Sequence, residues 1–344
     1  MSGSRGLDAR TPPAPGGFGV RFLGTGSAVP SQVLSNADFE RIMDTTDEWI
    51  VQRTGVRERR VCDPTKEGNF TLSRDALARA VEAAGIAPTE LDLVISATCT
   101  QEMTCPSNAC RVAAAIGATP APAFDLVAAC CGFVYAINVA ESLVRSGRFR
   151  TVGVVGCDVM SSVIDYCERG TSILFGDAAG AAVLRRDDDP KIGCLYQHLG
   201  ADGRDWRSLY IPRYQKDVPA DAPETTIRLG NLRMDGREVF KFAVTKFREL
   251  IEDAMRATGL AVDDIGQVIC HQSNIRIIEA AREKIGFKPE QVYVNIDRFG
   301  NSSAGSVGLC LDQLWRTGVV PCKKPVILVA FGGGMTWAAS VWQL

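Results

Sequence analysis

The chain has 344 residues, of which 46% are hydrophobic and 23% charged, and its formal net charge is −2. This composition indicates a globular protein with enough apolar side chains for one large core or two ordinary ones. The near-zero charge argues against nucleic-acid binding through a general basic field, and no apolar run approaches the roughly 20 residues of a membrane helix. We therefore expect a cytoplasmic protein. Residues 1–19 lack the apolar stretch of a secretory signal and are predicted to be a disordered tail.

The numbers and positions of the cysteines and histidines argue against a disulfide framework and against a metal site. The 12 cysteines are scattered along the chain without a Cys-x-x-Cys pair, which favours reduced thiols. The chain has only two histidines, His198 and His271, so we expect no metal site. His198 falls in a predicted loop and is interpreted as structural or exposed.

Short apolar runs and helical patterns alternate from Val20 onward. The first strand is predicted at Val20–Leu23. A helix is predicted to begin near Thr45, where Thr45 and Glu48 have the spacing of a capping box, and to end at Gly55. Four near-continuous apolar runs predict buried strands at residues 91–97, 123–127, 151–155 and 325–331. Strands alternating with helices indicate an α/β fold.

A weak internal repeat predicts two pseudo-equivalent halves. In each half, two predicted strands are followed by a turn, a helix, a glycine and a further strand. The two strands are at residues 91–97 and 123–127 in the first half and at residues 266–270 and 292–296 in the second. Gly147 follows Cys130 at the same distance at which Gly318 follows Asn301. We therefore expect halves at residues 20–188 and 189–344, with Cys130 and Asn301 at matching strand-to-helix turns.

Cys130 is the candidate nucleophile. It stands between a predicted strand and a predicted helix, where the helix dipole and free N–H groups favour a thiolate. A buried cysteine in a turn of small residues fits the segment equally well, and Cys131 is a competing nucleophile.

Three further segments place polar groups at strand ends. His271 follows a predicted strand, at the edge where open α/β sheets bind ligands, although a lone histidine is more often a core residue. Asn301 lies among small residues and could equally be a helix N-cap. Gly332–Gly334 follow the most apolar strand, so their N–H groups could form an oxyanion hole or simply a tight turn.

With Cys130, His271 and Asn301 in this order, the chain resembles β-ketoacyl-acyl-carrier-protein synthase III, an initiating condensing enzyme of the thiolase fold. The resemblance runs from about Phe22 to Leu344. Eight segments carry it: GTGSAVPS (24–31), DEWIVQRTGVRERR (47–60), FDLVAACCGF (124–133), RGTSILFGDAAGAAVL (169–184), MDGREVFKFAV (234–244), HQSNIR (271–276), GNSSAGS (300–306) and FGGGMTW (331–337).

The resemblance implies roles for individual residues. Cys130 would be the nucleophile, His271 and Asn301 the decarboxylation pair, and the backbone N–H groups of Cys130 and Gly333 the oxyanion donors. The implied coenzyme A site consists of Trp49, Arg53, Arg169 and Asn274. The implied carrier-protein contact is the segment Gln272, Ser273, Asn274, Ile275 and Arg276. The family also implies a homodimer with no resident cofactor, coenzyme A thioesters being substrates.

The chain departs from the family pattern at three positions near the expected site. Ser273 stands where alanine is usual, and Cys131 where alanine or another small residue is usual. Cys105 occupies the position at which some members present an aromatic ring to the partner subunit's acyl pocket. A small residue there predicts a primer range wider than acetyl.

The expected reaction is a decarboxylative Claisen condensation of an acyl-CoA primer with malonyl-acyl-carrier protein, which gives a β-ketoacyl-acyl-carrier protein and initiates fatty acid synthesis. A related condensing enzyme or acyltransferase of secondary metabolism, with the same three residues, remains the alternative. Elongating synthases carry a second histidine where Asn301 stands, which disfavours that interpretation. A catalytically silent scaffold is disfavoured by the intact set of three residues.

A predicted helix beginning near Gly236 carries a cationic face. Its apolar residues Phe240, Val244, Phe247 and Ile251 recur at helical spacing and should face inward. Arg237, Lys241 and Arg248 share another face. Together with Arg276 this face is predicted to dock the acidic carrier protein, although a merely solvated face would look the same.

Overall fold

The computed structural model describes residues 17–220, 222, 228–320 and 323–344. Of the tail predicted for residues 1–19, residues 1–16 lie outside the described residues. Gly19 belongs to the first strand, and the Phe18 N–H group donates to the Arg145 carbonyl, so the prediction of a disordered tail was wrong for these two residues.

Seven strands and six helices make up the first half of the described chain. They are β1 Gly19–Ala28, β2 Gln32–Ser35, α1 Asn36–Glu40, α2 Asp47–Thr54, β3 Glu58–Val61, α3 Asn69–Ala83, β4 Leu93–Ala97, α4 Asn108–Ile116, β5 Ala123–Leu126, α5 Gly132–Arg145, β6 Thr151–Val159, α6 Arg169–Ser172 and β7 Asp177–Asp187.

The second half follows after a turn. Its described elements are β8 Gly193–Ala201, β9 Leu209–Tyr210, β10 Arg233–Met234, α7 Gly236–Thr258, β11 Gln267–Cys270, α8 Ile275–Ile285, α9 Ile296–Phe299, α10 Gly305–Arg316, β12 Val326–Gly332 and β13 Thr336–Gln343. The proposed boundary between residues 188 and 189 falls in the turn between β7 and β8.

The two main sheets repeat one strand order. The first sheet runs β1-β7-β6-β4-β5 and the second β8-β13-β12-β11. In both sheets the first two pairings are antiparallel and the next is parallel. The parallel β4–β5 pairing has its counterpart in a single parallel bridge between Val268 and Val292. This repetition confirms the predicted α/β fold of two pseudo-equivalent halves.

Helices α5 and α10 lie between the two sheets and contact both of them. The largest apolar cluster draws on both halves, with Ile137 of α5 and Val154 of β6 joined by Leu311 of α10 and Leu328 of β12. The outer faces are covered by α3 and α4 on the first sheet and by α7 and α8 on the second. The result is a layered arrangement in which helices alternate with sheets.

Glycines bring α10 directly onto β7. A Cβ atom on Gly308 would lie 2.8 Å from the Gly180 Cα atom, so any side chain there would separate the helix from the strand. Helix α10 therefore packs backbone to backbone on the first sheet, although it belongs to the second half.

The predictions for Thr45 and for residues 292–296 were wrong. The side chain that caps α2 is Thr46, which accepts from the Trp49 N–H group, whereas the Thr45 hydroxyl is buried without a partner. Residues 292–296 form no strand but one bridge and the start of α9. Among the described residues, none of the helices is both long enough and apolar enough to cross a membrane.

Candidate active site

Cys130 lies in a tight turn between β5 and α5. The turn is a 3₁₀ segment, Ala129–Cys131, and α5 begins only at Gly132, so the thiol precedes the helix instead of standing in its first turn. Ala129 has a φ of +47°, a conformation that costs energy for a residue with a side chain. Strain of this kind is concentrated at functional sites, where the surrounding fold holds it.

A cavity of about 260 Å³ contains Cys130, His271, Asn301 and Gly333. The structure thus brings together the nucleophile candidate of one half and the two polar candidates of the other. No lysine or arginine is found among the described residues that line the cavity. Its wall is mostly apolar, with contributions from Met160, Phe175, Leu209, Ile211, Leu232, Met234, Phe331 and Met335.

His271 follows β11 and is almost fully buried. Its Nδ1 atom lies 2.8 Å from the Ser306 hydroxyl oxygen, and its ring packs edge to face on Phe331. Burial lowers the pKa of His271 to about 3, so the imidazole is neutral at physiological pH. A neutral imidazole has one N–H donor and one acceptor nitrogen.

Asn301 is held by the backbone on both sides. Its N–H group donates to the Leu174 carbonyl, and its own carbonyl accepts from Gly176 N–H. The side-chain Oδ1 atom accepts from the Ser303 N–H group at 2.9 Å. Since Oδ1 is engaged in this way, the Nδ2 amide group is the side-chain donor available to the cavity.

The electrostatics at Cys130 are dominated by burial, which raises the pKa of its thiol to about 11. The nearby Asp158 carboxylate raises this pKa as well. Three donors lower it, namely the Ser303 hydroxyl and the backbone N–H groups of Cys130 and Gly333. We expected the start of the helix to stabilise the Cys130 thiolate. In the structure, neutral hydrogen-bond donors instead lower the pKa of the thiol against the effect of burial.

The glycine run at residues 332–334 closes on the nucleophile. A Cβ atom on Gly332 would lie 2.8 Å from the Cys130 nitrogen, so only glycine permits this approach of β12 to the turn. The N–H groups expected to be oxyanion donors thus adjoin the sulfur. The same residues also begin the tight connection from β12 to β13.

The four residues expected to bind coenzyme A are grouped at the surface. The Arg53 and Arg169 guanidinium carbons lie 5.2 Å and 4.6 Å from the centre of the Trp49 ring. The Asn274 amide donates to the Arg53 carbonyl at 3.0 Å and so ties α2 to the start of α8. An aromatic ring beside two exposed guanidinium groups can accept a flat, phosphorylated ligand.

Comparisons with known proteins decide the family. Residues 124–203 match the family model of 3-oxoacyl-[acyl-carrier-protein (ACP)] synthase III, and residues 255–344 match the model of its C-terminal part. The β-ketoacyl-[acyl-carrier-protein] synthase III of Roseiflexus sp. (strain RS-1) is 45% identical over 322 residues, which are 93% of this chain and 97% of the relative. That of Caldanaerobacter subterraneus subsp. tengcongensis is 43% identical over 320 residues, 93% of this chain and 96% of the relative.

The chain belongs to the β-ketoacyl-acyl-carrier-protein synthase III family. The solved β-ketoacyl-[acyl carrier protein] synthase III from Thermus thermophilus agrees, with a TM-score of 0.86 and 40% identity over 94% of this chain and 98% of that structure. The predicted thiolase-type fold and the prediction of an acyl-transferring condensing enzyme are thereby confirmed.

The segment expected to contact the carrier protein needs revision in this synthase. Gln272 is buried, and its amide bonds the carbonyls of Cys270 and Tyr293 and the N–H group of Asn295. Ser273 lines the cavity, with its hydroxyl buried and unpartnered. Ile275 packs against Gly55, where a Cβ atom would lie 2.6 Å from the Ile275 Cβ atom. The Gln272 side chain is therefore too buried to form a docking surface, whereas contact of the partly exposed Ser273 and Ile275 with the carrier protein stays a prediction.

Arg276 does lie on the surface, beside the cationic face of α7. Its guanidinium carbon is 5.4 Å from the centre of the Phe240 ring, so α8 and α7 join in one exposed patch. Lys241 is 78% exposed and lies 3.9 Å from Glu238, whose charge offsets part of its own. Along α7, Phe247 and Ile251 are buried, whereas Phe240 and Val244 are half-buried.

Cys105 is exposed and is not among the described residues that line the cavity. Cys105 therefore does not contribute to the described lining of the cavity in its own chain. The loop predicted at His198 was wrong, because His198 lies in the strand β8. Its Nε2 atom accepts from the Trp337 indole, which agrees with the structural role expected for it.

Sequence reasoning missed two serines. Ser303 donates to the Cys130 sulfur, and Ser306 contacts His271. Both lie in the glycine- and serine-rich turn around Asn301, whose composition indicated a close approach but not which hydroxyl meets which partner. Among the described residues, no cluster of three or more histidine, cysteine or acidic side chains is arranged to hold a metal ion.

Proposed function

We propose that this synthase condenses an acyl-CoA primer with malonyl-acyl-carrier protein and so initiates fatty acid synthesis, with Cys130, His271 and Asn301 as catalytic residues. The observation that carries the assignment of residues is their convergence from two halves of the chain into one buried cavity. Family membership supports the reaction, because the relatives named above are all β-ketoacyl-acyl-carrier-protein synthases III.

The first half-reaction acylates Cys130. Its sulfur attacks the thioester carbonyl of acyl-CoA, a new carbon–sulfur bond forms, and the bond to the coenzyme A sulfur breaks. Coenzyme A leaves as the free thiol, so the proton lost from Cys130 is balanced. The N–H groups of Cys130 and Gly333 stabilise the negative oxygen of the tetrahedral intermediate.

The second half-reaction decarboxylates the malonyl group. The Asn301 Nδ2 group and the His271 Nε2 atom donate hydrogen bonds to the thioester oxygen as carbon dioxide leaves and enolate charge develops. The Ser306 hydroxyl oxygen lies within hydrogen-bond distance of both His271 Nδ1 and the Ser303 carbonyl, and it has one proton to donate. Neutral His271 holds its proton at Nε2 when that hydroxyl turns from the Ser303 carbonyl and donates to Nδ1. Each such donor in a dry site contributes ~3 kcal/mol. The carbanion then attacks the acyl group, and the Cys130 sulfur leaves.

Binding of the two substrates uses separate surface features. Coenzyme A binds at the surface, where it is held by Trp49, Arg53, Arg169 and Asn274. The exposed patch of Arg276 and Lys241, with Asn274 at its edge, docks the acidic carrier protein by charge complementarity.

Three further properties are proposed because the family implies them. We propose a homodimer, a cytoplasmic location and the absence of a resident cofactor, coenzyme A thioesters being substrates. In the dimer Cys105 of one copy faces the acyl pocket of the other, where its small side chain leaves room for primers longer than acetyl.

The decisive experiment supplies the purified protein with acyl-CoA primers of increasing length and with malonyl-acyl-carrier protein, and reads the product chain length by mass spectrometry. We expect β-ketoacyl-acyl-carrier protein, with primers longer than acetyl accepted. Malonyl-CoA in place of the carrier-bound extender is the control. Product formed equally well from malonyl-CoA would contradict the carrier assignment, and no product from any primer would contradict the function.

A further inference from the structure

The three proposed catalytic residues do not by themselves explain how the Cys130 thiolate is stabilised. The thiol is buried in a largely apolar cavity, and no lysine or arginine is found among the cavity's described lining residues. His271 is neutral there, and Asp158 adds an unfavourable negative charge nearby. A thiolate at this position therefore depends on neutral hydrogen-bond donors.

Ser303 supplies the one side-chain hydroxyl that bonds the Cys130 sulfur among the described residues. Its Oγ atom lies 3.4 Å from Sγ, within the range of a hydrogen bond to sulfur. Ser303 is 1% exposed, so water has little access to replace this donor.

The backbone of Ser303 is fixed at every polar group. Its N–H group donates to the Asn301 Oδ1 atom at 2.9 Å, and its carbonyl accepts from the Ser306 N–H group at 3.2 Å. The next residue, Ala304, donates its N–H group to Asp158 at 3.1 Å. Ser303 has a φ of +49°, which costs energy for a residue with a side chain. The strained, fully bonded backbone aims the hydroxyl at the sulfur.

We propose that Ser303 is a further catalytic residue, whose hydroxyl donates to the Cys130 sulfur and stabilises its thiolate form. The inference rests on the proposed function for the identity of the reaction. In acylation the hydroxyl favours loss of the thiol proton, which departs on the coenzyme A sulfur as the new carbon–sulfur bond forms. In condensation it stabilises the same sulfur as it leaves the acyl carbon. Ser303 itself neither gains nor loses a proton.

The test measures thiol reactivity independently of condensation. Ser303→Gly removes the hydroxyl and relieves the positive φ, while Ser303→Ala removes the hydroxyl and keeps the Cβ atom. Ser302→Ala is the matched control, since Ser302 is equally buried and makes no hydrogen bond to Cys130. The rate of iodoacetamide alkylation at Cys130 is followed against pH by peptide mass spectrometry, with Cys130→Ala defining the background from the other cysteines.

We expect both Ser303 variants to raise the pH midpoint of Cys130 alkylation by about one unit. Acylation by acyl-CoA near neutral pH should then slow on the order of tenfold, since one pKa unit changes the thiolate fraction tenfold. Ser302→Ala should change neither quantity. Thermal unfolding shows which variants are folded. A folded Ser303→Gly or Ser303→Ala protein is sufficient to test whether the Ser303 hydroxyl stabilises the thiolate.

An unchanged midpoint and acylation rate in a folded Ser303 variant would overturn the inference. If the variants shift the alkylation midpoint while the wild-type protein takes no acyl group from acyl-CoA, the proposed function fails and the role of Ser303 in thiol reactivity stands.

Discussion

Adjacent residues Cys130 and Cys131 have different surroundings. The Cys130 thiol lines the cavity, whereas Cys131 is packed in the apolar core between the sheets. Burial raises the pKa of the Cys131 thiol well above its ordinary value, and its side-chain hydrogen-bond partner is Thr336 instead of Ser303. Only one of the two sulfurs can therefore reach a substrate.

Cys130→Ala is expected to abolish the acyl-enzyme, and Cys131→Ala to retain it. The reason is access, because the Cys131 sulfur does not open on the cavity. Intact-mass analysis after incubation with acyl-CoA measures the adduct. A full adduct on the Cys130→Ala protein would show that the nucleophile is wrongly assigned.

His271→Ala and Asn301→Ala are expected to accept the acyl group and to lose malonyl decarboxylation by a factor of about 100 or more. The hydroxyl and N–H groups that stabilise the thiolate remain in both variants, although Asn301→Ala also removes the acceptor of the Ser303 N–H group. The enolate, in contrast, needs both of these side chains. Labelled carbon dioxide released from malonyl-carrier protein is the readout, with acylation by acyl-CoA as the control. Wild-type release from both variants would remove these residues from the decarboxylation step.

At the scale of elements, α7 and α8 form the patch proposed to dock the carrier protein. Charge reversal by Arg276→Glu or Lys241→Glu is expected to reduce the carrier-dependent rate severalfold. The wild-type rate should itself fall as salt is added, because exposed charges are screened. Acylation by acyl-CoA is the internal control and should change less.

Arg256→Glu is a matched surface control on the same helix, because Arg256 pairs with Asp253 at the opposite end of α7. If both patch reversals leave the carrier-dependent rate and its salt dependence at wild-type values, the carrier protein docks elsewhere.

Most elements were predictable from periodicity, but their exact ends were not. Thr45 and Thr46 are both good helix caps, and only the packing of α2 decides that Thr46 bonds the Trp49 N–H group. Residues 292–296 have the composition of a strand, yet Asn295 and Ile296 turn into α9 because the Asn295 N–H group bonds the buried Gln272 side chain. Tertiary contacts of this kind leave no trace in the local sequence.

At the scale of the whole molecule, the packing of the two halves determines which residues of the turns around Cys130 and Asn301 meet. The repeat in the sequence correctly predicted two similar halves and placed the two residues at corresponding turns. It could not predict that Ser303 lies beside Cys130, because that contact depends on α10 crossing onto the first sheet. The cavity wall at Leu209–Tyr210 was also missed, since a strand of two residues has no periodicity to detect.

The global stability should depend on the protonation of His271. Burial lowers the pKa of His271 to about 3 in the native protein, below the ordinary value of 6.5. Between these values the unfolded chain binds a proton that the native site does not. The stabilisation is therefore complete above pH 6.5 and is lost progressively as the pH falls toward 3.

We expect the His271→Gln variant to lose less stability on acidification than the wild-type protein. The difference should reach about 2 kcal/mol between pH 7 and pH 5, since each pH unit below the unfolded pKa costs about 1.4 kcal/mol. Urea denaturation at the two pH values measures it, and His198 titrates equally in both proteins. Identical pH dependence in the two would contradict a neutral, buried His271.

The close approach of α10 to β7 also determines when catalytic activity appears during folding. Gly180 and Gly308 let the backbones of the two halves meet, and this contact carries Asn301 and Ser303 to the nucleophile. Each main sheet takes its strands from one half alone, whereas the catalytic centre takes residues from both. Regain of activity on refolding thus reports the docking of the halves. Substitutions at Gly180 or Gly308 should slow the appearance of active enzyme, because a side chain at either position would hold α10 away from β7.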